Sequence, residues 1–427
     1  MSRVLAAVLA VGALAACTPI RAPEHLPALR AGDPAFHATV AAHTGARFVP
    51  GNRVDVLLNG DGTFPPLLAA IRAAERSVTF AQYFYADGPI AEEIAGALAE
   101  RCAQGVKGHV LLDAFGASGI PAALVTRMRD AGCEVEWFRR LSLVRFLTPW
   151  SLLRYNNRSH RRIVVVDGAV GFTGGFGVSS AWMGDGRHPD VWRDTNARIE
   201  GPVVGDLQAA FARDWRGATG RVLGGADYFP AGAGALAGTV TAQIVASSPI
   251  DGASESYLLF LLAIASAERS ILITNPYFVL DQAMTDELVR AVQRGVEVVV
   301  LVPGRLEHAL GRPDQNLVHH AGRAGFGALL EAGVRILEYR AALLHAKTMV
   351  VDGRWATIGS TNVDARSFSL NAELNLTVAD AGVAARLEEI FRDDLRHAQP
   401  ITYDEWRTRG LKARVFEWFA FPAKSQL

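Results

Sequence analysis

The chain carries the same series of landmarks twice, and this constrains its fold more than any other feature. "AERSVTFAQYFY" from Ala74 matches "AERSILITNPYF" from Ala267, "QGVKGHVLLD" from Gln104 matches "RGVEVVVLVP" from Arg294, and "AGCEVEWF" from Ala131 matches "AGVRILEY" from Ala332. "SHRRIVVVDG" from Ser159 and "LHAKTMVVDG" from Leu344 close each series. Four landmarks in one order, offset by 185 to 201 residues, are the mark of a duplicated domain.

Within each copy, short β-rich runs alternate with segments of helical apolar spacing, such as "AEEIAGALAERCAQG" ending at Gly105. That alternation predicts an α/β fold of two similar halves, each a mixed, mostly parallel sheet flanked by helices; the two closing landmarks, facing each other across the junction, would put the active site at their interface. The predicted boundaries are a signal peptide at 1–16, a tether and N-terminal arm at 17–47, a first half at 48–215 and a linker at 216–238. A second half at 239–400 and an amphipathic tail at 401–427 complete the chain. The linker is assigned because Arg216 to Gly238 is rich in Gly and Ala without periodicity.

In both closing landmarks a His is followed two residues later by a cation and five residues after that by Asp-Gly: His160, Arg162 and Asp167, then His345, Lys347 and Asp352. The strand period of two places each His and its cation on one face, and Asp-Gly is a hairpin-turn signal. Asp167 and Asp352 belong to the motif set but read as turn and interface residues rather than direct catalysts. Six residues beyond each turn lie Gly174-Gly175 and Gly359-Ser360, and Asn362 has Gly177 as its counterpart. Only four of the 43 basic residues are Lys, so Lys347 is an unusual choice here, whereas Arg162 follows the chain's bias.

A neutral imidazole beside a cation suits attack on a phosphodiester, with the cation holding the non-bridging oxygens as their charge grows. Two facing copies supply a nucleophile and a general acid/base. Each imidazole then needs an acid to fix its tautomer, and Asp194 in "WRDTNA" and Glu373 in "NAELNL" stand in corresponding places. No metal or other cofactor is called for: the chain lacks HExxH and CxxC patterns, and His308 and His319-His320 read as residues of the surface or of the layer behind the site, in preference to metal ligands.

Acidic and basic residues balance at 43 each, which argues against a general nucleic-acid binder. Cys102 and Cys133 precede predicted neighbouring strands; they are read as buried free thiols in preference to a disulfide. At the N-terminus, Arg3, the apolar run Val4 to Ala13 and the Leu14-Ala15-Ala16-Cys17 ending read as a secretory signal too short to span a bilayer. The ending resembles the bacterial lipobox, whose Cys is lipidated. The expected location is the cell envelope, lipid-anchored at Cys17 and facing the periplasm. Thr18 in place of Asp points by analogy to the outer membrane.

The duplicated H-x-K-x4-D pattern resembles that of the phospholipase D superfamily, and the chain is most similar to its cardiolipin-synthase branch. "NNRSHRRIVVVDG", "WRDT", "NPYFVLD", "GSTNVDARSFSLNAE" and "YDEWRTRG" carry the likeness, which runs from about Asn52 to Phe419. It implies a phosphohistidine intermediate, with His160 as nucleophile and His345 as acid/base. It also implies transfer of a phosphatidyl group to phosphatidylglycerol, with phosphatidylethanolamine as a further candidate substrate. A membrane surface is expected as partner, and neither nucleic acid nor another protein. A hydrolase or nuclease of the superfamily, and a lipid-binding protein without turnover, are the alternatives.

The first half departs from the pattern at Arg162 and Gly177. Either the half-sites are tuned to different tasks, or the first has drifted toward lower activity; Arg158 and Ser179 are candidates to compensate. "LSLVRFLTPWSLLRY" from Leu141 and "ARVFEWFAFPAK" from Ala413 are candidate lipid-contact segments, with core packing as the competing reading.

Overall fold

The structure, a computed structural model, describes residues 22–140, 156–232, 236–248, 255–304 and 313–411, together with 414 and 417. Residues 1–21, the segment from Leu141 to Tyr155, His308 and most of the C-terminal tail lie outside that set, so the readings made on them are not addressed by it.

The β-branched runs of the first half form β1 (Val49–Leu58), β2 (Ser77–Gln82), β3 (Lys107–Asp113), β4 (Glu134–Phe138), β5 (Ile163–Val166), β6 (Val170–Gly174), β7 (Trp192–Arg193) and β8 (Thr195–Glu200). Those of the second half form β9 (Val240–Ser247), β10 (Ser270–Thr274), β11 (Glu297–Pro303), β12 (Arg335–Tyr339), β13 (Leu343–Leu344), β14 (Thr348–Val351), β15 (Trp355–Gly359), β16 (Glu373–Ala379) and β17 (Ala398–Ile401). Fifteen of them make one sheet, ordered β17-β12-β11-β10-β14-β15-β16-β9-β1-β8-β6-β5-β2-β3-β4. Read outward from the β9/β1 junction, the halves repeat each other over seven strands, and the second half adds β17 at its edge. The sheet is mixed, as expected, but it is mostly antiparallel where mostly parallel sheets were predicted: ten pairings run antiparallel and four parallel, because the His hairpins and the strands at the junction of the halves are joined without crossover helices. Parallel pairing is confined to β2-β3-β4 and β10-β11-β12, where helices make the crossovers, and the hairpins carrying the His motifs pair antiparallel.

The duplicated Asp-Gly turns are built alike. Asp167 and Asp352 have φ of 54° and 56°, followed by Gly at 65° and 64°, as a type I′ turn requires. The Asp167 carboxylate accepts the backbone N–H groups of Glu75, Arg76 and Ser77, and Asp352 those of Glu268, Arg269 and Ser270. Both thus tie a turn to the start of a neighbouring strand.

Three further sequence readings are corrected. Cys102 and Cys133 form a disulfide. The bond crosses β3 at Gly108, where a Cβ would fall 2.2 Å from the Cys102 sulfur, so the missing side chain is what makes room for it. The N-terminal arm contains a helix, Pro34–Thr44, whose Phe36 and Val40 are buried in the second-half core; Phe36 packs at right angles on Trp355. Two anchors at i and i+4 are enough to dock it but too few to show as periodicity. Finally, the helix Val204–Thr219 runs into the stretch read as linker and ends at Gly220 in the left-handed conformation.

Candidate active site

His160 and Arg162 lie just before β5, and His345 and Lys347 just before β14, in extended chain that is stitched to the opposite half. The His160 N–H donates to the Ala372 carbonyl at 2.9 Å, beside Glu373. The His345 N–H donates to the Arg193 carbonyl at 2.7 Å, beside Asp194, and Leu343-Leu344 pair in parallel with Trp192-Arg193. Each motif is therefore placed by the segment carrying the other half's acid.

The side chains repeat that exchange. His160 Nδ1 is 3.0 Å from both oxygens of Glu373, and His345 Nδ1 is 2.7 Å from Asp194 Oδ2. The pairs are crossed between halves, and both acids are fully buried. A carboxylate at Nδ1 holds the N–H there and leaves the Nε2 lone pair for chemistry. Burial, reinforced by Arg162, pushes the His160 imidazole down to about 4; burial, reinforced by Lys347, pushes His345 down to about 3. Burial alone would raise the two acids. The imidazoles and their other donors outweigh it, holding Glu373 below its usual range and Asp194 at about 2. At neutral pH the resting site therefore holds two neutral imidazoles and two carboxylates.

The cations occupy equivalent positions. The Arg162 guanidinium donates to the carbonyl of His160, and the Lys347 ammonium to that of His345. Arg162 also lies over the Tyr83 ring, 5.6 Å from its centroid, and its Nε is buried without a hydrogen-bond partner. Burial brings Lys347 down to about 7, whereas Arg162 is lowered from a much higher starting point. Asn362 Oδ1 is also buried without a partner. Buried donors and acceptors without a protein partner are costly unless a ligand satisfies them.

Of the sequence candidates, His160, Arg162, His345, Lys347, Asp194 and Glu373 converge, and Ser360 joins them by donating its hydroxyl to Glu373 at 2.5 Å. His319 and His320 pack on each other, and among the described residues no group of three or more His, Cys, Asp or Glu could hold a metal ion. Sequence reasoning missed the aromatic walls. Tyr83 stands edge to face with His160 at 4.9 Å, while Trp182 and Trp192 flank His345 at 5.2 and 4.9 Å. It also missed Arg161, which bonds Asp214, the Ser247 carbonyl and the Glu373 carbonyl and so joins the halves directly behind the site.

The duplicated fold and its facing His–cation pairs define an enzyme of the phospholipase D superfamily. A family model described as cardiolipin synthase, PLD-like domain, matches residues 260–395. The chain is 38% identical over 366 residues to cardiolipin synthase A of Pseudomonas putida, covering 83% of this chain and 71% of that one. It is 35% identical over 362 residues to the cardiolipin synthase of Geobacillus kaustophilus, covering 85% and 70%. The chain belongs to the cardiolipin synthase family. Its fold is that of the phosphatidylserine synthase of Haemophilus influenzae (TM-score 0.69, 13% identity, 92% of this chain and 100% of that one). The polyphosphate kinase of Porphyromonas gingivalis is a more distant likeness (TM-score 0.54, 12% identity, 88% and 53%).

Proposed function

We propose that the chain is a phosphatidyltransferase of the cardiolipin synthase type. The observation that carries this is the crossed His160–Glu373 and His345–Asp194 pairs, with Arg162 and Lys347 beside them in one buried site. The Nε2 lone pair of His160 attacks phosphorus, and Arg162 and Lys347 hold the non-bridging oxygens. As the bond from phosphorus to the leaving glycerol oxygen breaks, His345 gives that oxygen its proton. An empty site keeps His345 neutral; a phosphodiester anion in the same low-dielectric space favours its protonated form. His345 then takes the proton from the glycerol hydroxyl of a second phosphatidylglycerol. That oxygen attacks phosphorus, the P–N bond breaks, and cardiolipin and free glycerol result.

The envelope location and the lipid anchor at Cys17 are part of the same proposal. The Cys102–Cys133 disulfide supports an oxidising compartment. A membrane surface as partner is supported by Phe115, which is 60% exposed. It sits on a loop so close to Tyr83 that a Cβ on the adjacent Gly116 would fall 2.4 Å from the Tyr83 carbonyl oxygen. An exposed aromatic beside a wall of the site suits contact with the lipid interface.

The test is incubation of the purified full-length chain with phosphatidylglycerol vesicles. Cardiolipin and free glycerol, lost in His160→Ala and in His345→Ala, are the expected products. Phosphatidic acid alone would make the enzyme a hydrolase, and no turnover of any phospholipid would overturn the reading.

A further inference from the structure

We infer that Trp182 is a positioning residue for His345, and that Gly175, Gly177, Asp194 and Trp182 form one coupled replacement for the arrangement around Glu373. The inference rests on the proposed two-His reaction and concerns how the first half performs its share of it.

In the second half, Glu373, whose two oxygens both lie 3.0 Å from His160 Nδ1, also receives the Ser360 hydroxyl on Oε2. The first half has no hydroxyl at the matching position, which is Gly175. None would fit: a Cβ there would fall 2.3 Å from Asp194 Oδ1, because the shorter acid reaches His345 only by lying against this stretch of backbone. The second donor comes instead from Trp182. Its indole Nε1–H donates at 2.9 Å to Asp194 Oδ2, the same oxygen that holds His345.

The Trp182 ring is itself fixed on every side that the structure shows. It stands at right angles to the His345 ring, packs on Trp192 with 4.0 Å between centroids, and lies 5.3 Å from Phe84. On another side it meets Gly177, where a Cβ would fall 2.8 Å from the indole and 3.1 Å from Phe84 Cβ. Gly177, which stands where the second half has Asn362, is therefore the vacancy that admits the indole. The first half has been rebuilt around a different donor, and the departure at Gly177 is no sign of decay.

Trp182 touches no reacting atom; it acts through Asp194. Removing its N–H makes the carboxylate more basic, so Asp194 holds the His345 proton more firmly and the imidazole ionises at higher pH. Trp182→Phe keeps most of the ring and loses the donor. The expected result is a fall in kcat of roughly 10- to 100-fold with KM nearly unchanged, and a pH profile displaced upward. The His345 ionisation, followed by NMR on 13C-labelled histidine, moves up with it, while that of His160 stays in place. Ser360→Ala gives the converse pattern, with His160 moving.

Should Trp182→Phe fail to fold, Gly177→Ala carries the test, because it keeps the indole and displaces it; the same upward shift of His345 is expected. An unmoved His345 ionisation in whichever of these variants folds would overturn the inference. The histidine titration needs no turnover, so an inactive wild-type enzyme would sink the transferase reading while leaving the question of Trp182 answerable.

Discussion

His160 gives its Nδ1–H to Glu373 at 3.0 Å, although 213 positions separate the two residues. His345 makes the reciprocal bond to Asp194, 151 positions back. Each half thus keeps the other's imidazole in its working tautomer.

The first prediction follows from that exchange. Glu373→Gln disables His160, and Asp194→Asn disables His345, each substitution acting on the half it does not belong to. We expect kcat to fall by roughly 10²- to 10⁴-fold in each. The discriminating measurement is trapping of the phosphohistidine with labelled phosphatidylglycerol. Glu373→Gln should prevent its formation on His160, and a normal yield would argue against the assignment of His160 as nucleophile.

Lys347 makes the free enzyme sensitive to alkali. Its ammonium is lowered to about 7 by burial, so it loses its charge as pH rises through that value, while Arg162 keeps its own. Binding of an anionic phosphodiester should weaken, and KM should rise, between pH 7 and 9. Lys347→Arg should flatten that dependence. A KM in the wild type that is level over this range would contradict the account.

The Asp-Gly turns should matter for stability and not for chemistry. Asp352 is buried and accepts three backbone N–H groups, so Asp352→Ala should cost about 3 kcal/mol in urea unfolding. Asp167, partly exposed, should cost less. Turnover per folded molecule should survive in both. Loss of activity without loss of stability would return these residues to the catalytic set.

Reduction of Cys102–Cys133 should lower stability by about 3 kcal/mol and leave kcat intact. The disulfide flanks Gly108 near the start of β3, whereas the site lies beyond Asp113 at its end, roughly 20 Å along the strand. Melting with and without reductant, alongside Cys102→Ala, measures the first; initial rates measure the second.

Much of this was legible in the chain itself. The duplication exposed His160, Arg162, His345 and Lys347, and corresponding positions exposed Asp194 and Glu373, because local spacing survives in sequence. Which acid serves which His was not legible, since that pairing runs between halves and leaves no periodicity. The disulfide was missed because its decisive residue is Gly108, which signals only by having no side chain. Trp182 was missed because an indole five residues past Gly177 reads as core. Only the fold brings its N–H to Asp194 Oδ2.

The crossed acids also impose an order of events on a newly made chain. When the first half emerges, His160 is present but Glu373 has yet to be synthesised, and Ala372, which fixes the backbone beside it, is missing too. The first half alone therefore lacks the acid that sets its own imidazole. The site is complete only once β16 lies beside the first half, so a chain cut short before Glu373 carries a His160 with no acid to set its tautomer.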